Sequence, residues 1–167
     1  KDEGVPSGIP DLDGDTGGYQ PGTLWIVAAR PGMGKTIYAT SSALKVAAKG
    51  TGVLLFSLEV PEIQLTARIL SDMSFIHRRP IPFGRIIRGA LADDEMWRLE
   101  DANRRLATMP LVLDVASRLS VSEIAARVRA EKDAMAKRGV RLGVVFIDYL
   151  KFVKASDRYK GQRVYEV

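Results

Sequence analysis

One stretch narrows the choice of folds more than any other: Ala29-Arg30-Pro31-Gly32-Met33-Gly34-Lys35-Thr36. An apolar run from Thr23 to Ala29 precedes it, and strong helix formers from Lys35 to Lys49 follow, stopping at Gly50. Glycines at Gly32 and Gly34 allow a tight turn whose successive backbone N–H groups point inward. With the helix N-terminus behind them, those donors surround a phosphate. The segment matches the P-loop pattern except that Ala29 stands in place of the first glycine. That substitution lies at the strand end, away from the ring of N–H donors. Lys35 is placed to reach terminal phosphates, and the Thr36 hydroxyl to coordinate magnesium. Arg30, Pro31, Gly32, Met33, Gly34, Lys35 and Thr36 are therefore the candidate nucleotide contacts, with ATP and Mg2+ as the expected ligands.

Such a turn needs a strand before it and a helix after it, and the rest of the chain supplies a matching alternation. Thr23 to Ala29, bounded by Pro21-Gly22 and Pro31-Gly32, predicts a buried parallel strand. Gly52 to Leu58 predicts a second, and Pro61 begins a helix on which Leu65 and Ile69 share a face. Phe75 to Ala90 reads as loops with one short helix. Asp93 to Met109 predicts a helix with acidic residues in its first turn and Trp97 facing the core. Leu111 to Val115 predicts a third strand. Ser120 to Glu123 is a capping-box pattern opening a helix that runs to about Arg138. Val140 to Asp148 predicts a fourth strand. Lys1 to Gly22, rich in Gly, Pro and Asp, reads as an irregular lead-in. This order implies an α/β fold with a mostly parallel sheet flanked by helices, and ligands at the carboxyl ends of its strands. Residues 1–167 read as a single partial domain.

Two of those strands end in acids. Val144-Val145-Phe146-Ile147 leads into Asp148. A carboxylate at the end of a buried strand is expensive unless it meets a cation or a hydrogen-bond network. Beside a P-loop, Asp148 reads as the Walker B acid, acting on magnesium together with Thr36. Leu54-Leu55-Phe56-Ser57-Leu58 leads into Glu59, the candidate base that orients the attacking water. The structural alternative for Glu59 is a charge favouring the helix that starts near Pro61. Glu59 and Lys35 are the candidate catalytic pair.

Three blocks jointly resemble one family. Gly8-Ile9-Pro10-Asp11-Leu12-Asp13 with Gly17-Gly18-Tyr19-Gln20-Pro21-Gly22 is similar to the lead-in of RecA-like folds. Ala28 to Thr36, with its Arg-Pro and Met-Gly pairs, resembles the P-loop of DnaB-type replicative helicases. Phe56-Ser57-Leu58-Glu59 and Ile147-Asp148-Tyr149-Leu150 resemble the next two motifs of that family. The resemblance implies a RecA-like P-loop NTPase domain in a hexameric, ATP-driven motor that moves on single-stranded DNA and unwinds duplex during replication, with a primase or loader as a further partner. It implies ATP between subunits, with an arginine finger from a neighbour. It also implies that the C-terminal part of the core is missing, because family members continue past the Walker B strand with a strand lying between it and the P-loop strand. A gap in the sheet is therefore expected. Lys151 departs from the family, which commonly has Gln there. A RecA- or clock-type ATPase, in which nucleotide controls assembly on DNA, is the alternative reading, and a small-molecule kinase is a weaker one because no lid is recognisable.

The net charge of +5 and pI near 9.6 suit a polyanionic partner. Cysteine is absent, so neither a disulfide framework nor a thiolate metal site can form, which fits a cytosolic protein; the family resemblance implies a cytoplasmic protein of bacterial or phage origin. No run is long enough to span a bilayer, no signal-peptide pattern opens the chain, and the first residue is Lys1, as in a piece of a longer protein. Arg78, Arg79, Arg85 and Arg88 read as a solvated basic loop with two core aromatics, Phe75 and Phe83. Lys151, Lys154, Arg158, Lys160 and Arg163 form a basic stretch on the catalytic edge, open equally to a contact with DNA or a neighbouring subunit and to an ordinary basic surface. His77 has no companion ligand for zinc and reads as a surface residue. Trp25 and Trp97 read as core.

Overall fold

The computed structural model describes residues 4–75, 79–149 and 153–154. His77 and Arg78, and the basic stretch from Lys151 onward apart from the backbone at Lys154, lie outside the described residues. The chain runs α1 (Pro10–Thr16), α2 (Lys35–Ala47), β1 (Gly52–Ser57), α3 (Glu62–Met73), α4 (Phe83–Arg88), α5 (Asp93–Thr108), β2 (Leu111–Val115), β3 (Leu119–Ser120), α6 (Val121–Lys137), β4 (Leu142–Asp148) and β5 (Val153–Lys154).

The organising strand is β1. It pairs in parallel with β2 on one side and β4 on the other, giving the order β2-β1-β4. Every one of its residues is buried, which is why its sequence is an unbroken apolar run rather than an alternating one. Successive side chains still point to opposite faces. Val53 and Leu55 join Ala43, Leu44, Val46, Ala47, Leu65 and Ile69, the inward residues of α2 and α3. Leu54 and Phe56 join Leu119 and Ile124, with Val128 of α6 packed against them. The sheet is thus covered by α2 and α3 on one face and α6 on the other, the layered arrangement that the alternation of elements implies. Ser120 accepts from the Glu123 N–H while the Glu123 carboxylate accepts from the Ser120 N–H, the reciprocal cap expected at the start of α6.

Three expectations need correction. The first is the strand at Thr23 to Ala29. The chain there has no ladder partner among the described residues, and Leu24 is 86% and Ile26 70% exposed. Strand pairing depends on a neighbour, and the only sheet contact of β4 among the described residues is with β1. Among the described residues the sheet does not reach this segment, which fits the gap that the family resemblance implies. The second is the lead-in, which is not wholly irregular. Pro10 at the first helical turn, the Asp13 carboxylate accepting from the Ser7 and Gly8 N–H groups, and Gly17 at φ 71° define α1. The third concerns aromatic residues. Trp97 is 61% exposed, because α5 turns Glu95 and Ala102 inward and Trp97 lies on the far side of that stripe. Phe75 is also exposed, just beyond the end of α3. Trp25 is half-buried, its ring edge-on to Tyr19.

Candidate nucleotide site

The phosphate turn has the backbone its glycines permit. Gly32 has φ 79° and Gly34 φ 90°, a region L side chains avoid, and nothing lies within 4 Å of the space a Cβ would occupy at either position. The Met33 N–H donates to the Arg30 carbonyl at 3.2 Å, closing the turn. Gly34 is the N-cap of α2 and supplies no side-chain cap, so the first-turn N–H groups of that helix face the turn with their dipole. Arg30, Pro31, Gly32 and Met33 are exposed, while Gly34, Lys35 and Thr36 are half-buried. An uncapped N-terminus behind an open glycine turn fits a phosphate group.

The acids reach this turn through the sheet register. Ser57 is opposite Asp148, so the carboxyl ends of β1 and β4 coincide. The Leu58 N–H donates to the Asp148 carbonyl at 2.7 Å and extends that alignment. The Ser57 hydroxyl donates to the Val60 carbonyl at 2.9 Å, tightening the bend in which Glu59 is exposed. Asp148 is only 6% exposed, and its Oδ2 accepts from the Thr36 hydroxyl at 2.7 Å. Two hard oxygen groups from opposite ends of the sequence are therefore already adjacent, a donor set that suits magnesium. Lys35, Thr36 and Asp148 come together directly. Glu59 stands at the same edge, two residues past the end of β1.

Two groups at this edge escaped the sequence reading. The Lys35 ammonium lies 4.5 Å from the centroid of the Tyr149 ring. Tyr149 belongs to the Ile147-Asp148-Tyr149-Leu150 block, but nothing in that spacing signals a contact with a residue more than a hundred positions away. The second is a chain of hydroxyls that anchors α2. The Ser42 hydroxyl donates to the Ser7 carbonyl at 2.8 Å. Its proton being spent there, Ser42 accepts from Tyr19 at 2.8 Å, and Tyr19 in turn accepts from Tyr38 at 2.9 Å. Burial pushes the Tyr19 phenol well above its ordinary range. Asp13 is pushed up by burial too, but the hydrogen bonds from Ser7 and Gly8 outweigh this and hold its carboxyl below the usual value.

The basic loop is partly structural. Arg85 forms an ion pair with Glu95 at 2.6 Å, and Arg98 donates to the Arg79 carbonyl at 2.7 Å. Phe83 is half-buried, with the Arg68 guanidinium 5.4 Å from its ring centroid.

Comparison with known proteins places this geometry in company. The family model described as the DnaB-like helicase C terminal domain matches residues 4–167. The chain is 40% identical over 159 residues to a replicative DNA helicase DnaB from Rhodothermus marinus, covering 92% of this chain and 15% of that one. It is 35% identical over 165 residues to the replicative DNA helicase DnaC of Bacillus subtilis (strain 168), covering 98% of this chain and 34% of that one. A solved structure of a DnaB-like replicative helicase, described with its interactions with primase, superimposes with a TM-score of 0.80 at 28% identity, over 92% of this chain and 36% of that one. The chain thus spans about a third or less of the length of these relatives.

Proposed function

The chain belongs to the DnaB-like helicase C-terminal domain family, and from that premise we propose that it is the nucleotide-binding part of a replicative helicase motor, using ATP and magnesium to drive movement along single-stranded DNA. The observation that carries this reading is the 2.7 Å hydrogen bond from Thr36 to Asp148, which sets the phosphate turn against the acid-bearing end of β4.

Bound MgATP would supply the phosphoryl group whose transfer to water powers the motor. The residues have separable tasks. The N–H groups from Gly32 to Lys35 hold phosphate oxygens, and Lys35 adds a full positive charge at their terminal end. Thr36 and Asp148 would hold magnesium, whose charge would offset that of the phosphate oxygens. Glu59, exposed at the mouth of the same edge, orients water and takes its proton. Single-stranded DNA, a homo-hexameric ring and a primase or loader are the partners of the whole protein. Its kinship with bacterial replicative helicases puts its place in the cytoplasm.

The test is ATP hydrolysis by the complete protein with and without single-stranded DNA, alongside its native mass. Stimulation by DNA and a six-fold mass support a ring motor. A filament with DNA-independent turnover would favour the assembly ATPase. Lys35→Ala should abolish nucleotide binding or turnover, and a normal rate would refute the phosphate role.

A further inference from the structure

Lys35 and Thr36 are consecutive at the start of α2, and Asp148 and Tyr149 are consecutive at the end of β4. They meet as two pairs: Thr36 Oγ1 on Asp148 Oδ2 at 2.7 Å, and Lys35 Nζ over the Tyr149 ring at 4.5 Å. The second contact is unlike the first in kind. A carboxylate holds an ammonium by neutralising it, and phosphate must then compete for the charge. An aromatic face attracts the cation through its quadrupole and leaves the net charge in place. Lys35 makes no ion pair among the described residues.

A lysine stem has four rotatable bonds, and fixing it has an entropic cost that falls on binding unless the free protein has already met it. The chain before the turn contributes no restraint of its own through the sheet, since residues 23–29 lack a ladder partner among the described residues. The Asp148–Tyr149 pair therefore supplies two side-chain contacts from the end of β4 to the first residues after the turn.

We infer that Tyr149 is a positioning residue for Lys35: its ring face keeps the ammonium, still charged, at the phosphate end of the site before nucleotide arrives. This rests on the nucleotide site proposed above and deepens it. It commits to the ring and not to the phenolic hydroxyl. It also commits to preorganisation, so that losing the ring weakens binding of phosphate rather than freeing the lysine to bind it better.

The experiment uses the complete protein and a fluorescent, non-hydrolysable ATP analogue, read by anisotropy. A second readout is the rate at which an amine-acylating reagent labels Lys35 in nucleotide-free protein, followed by mass spectrometry. Tyr149→Leu should weaken the analogue by about two- to fivefold, the range expected for a cation–π contact at a half-exposed site, and should speed labelling by a similar factor. Tyr149→Phe should restore both, and Tyr149→Trp should match or exceed the parent. Unchanged or tighter binding in Tyr149→Leu overturns the inference, as does a Phe variant as weak as the Leu one. Should the Leu variant fail to fold, Phe and Trp still decide: both must retain parental affinity and protection of Lys35. If Lys35→Ala alone leaves the analogue bound at full strength, the nucleotide site itself is wrong. If Lys35→Ala abolishes binding while Tyr149→Leu does nothing, only the positioning role falls.

Discussion

Replacing Tyr19 by Phe removes a single oxygen at the middle of the hydroxyl chain and keeps the ring. The ring is edge-on to both Trp25 and Phe146, with centroids 5.3 and 5.8 Å away, and those contacts survive in the variant. What disappears is one hydrogen bond accepted from Tyr38 and one donated to Ser42. The two losses differ in weight. Tyr38 is half-buried and its hydroxyl can turn to water. Ser42 is fully buried, keeps its own bond to the Ser7 carbonyl, and loses the only side-chain donor that reaches it among the described residues. A net hydrogen bond contributes about 0.5–1.5 kcal/mol, so Tyr19→Phe should destabilise by about 1–2 kcal/mol. For a chain of this size each kcal/mol lowers the melting midpoint by about 2–4 °C. Tyr38→Phe, which loses only the outer link, should be milder. Urea unfolding of the two variants checks this, with an unchanged slope showing that the folded and unfolded states keep their compactness. Combining Tyr19→Phe with Ser42→Ala should be less than additive, since both break the same bond. Stability of Tyr19→Phe within about 0.3 kcal/mol of the parent, or strict additivity with Ser42→Ala, would refute the directional chain.

Three further outcomes are expected. Glu59→Gln in the complete protein should bind nucleotide normally but hydrolyse it about 10²–10⁴-fold more slowly, in single-turnover measurements; normal rates would make Glu59 structural. Asp148→Asn keeps an acceptor for Thr36 but removes the charge, so a magnesium titration of nucleotide binding should shift to higher concentration, and an unshifted titration would count against its role. Burial holds the Tyr19 proton on in the folded state while the unfolded phenol ionises near its ordinary value of about 10. The folded state then binds more protons than the unfolded one, so stability is level below about pH 10 and falls as pH rises above it. Urea midpoints on either side of that pH should diverge, and less so in Tyr19→Phe.

Most of the fold was legible because its signals are local. The buried run of β1 reads as a parallel strand from Val53 to Phe56 alone, and the cap at Ser120 and Glu123 needs only four residues. The turn at Gly32 and Gly34 was legible for the same reason, and the register of Ser57 with Asp148 follows once two strands are placed side by side. The failures are of another kind. Thr23 to Ala29 has the composition of a strand, but pairing belongs to two segments, and composition carries no information about the second. Trp97 reads as core from its type alone, whereas α5 turns inward by the stripe of Glu95 and Ala102, with Glu95 made tolerable there by Arg85. The contact of Lys35 with Tyr149 and the order of the hydroxyl chain depend on distances fixed by the whole sheet, and no spacing in the sequence encodes them.

The segment before the phosphate turn, without a ladder partner among the described residues, also bears on handling the protein. Thr23 to Ala29 has no charge and no proline, and Leu24, Ile26 and Val27 are exposed along it. Natural edges carry lysines or kinks because a bare one templates the next chain. At high concentration, copies of this polypeptide should therefore join along that seam and cloud the solution. A lysine in place of Ile26 would be the simplest way to keep it clear.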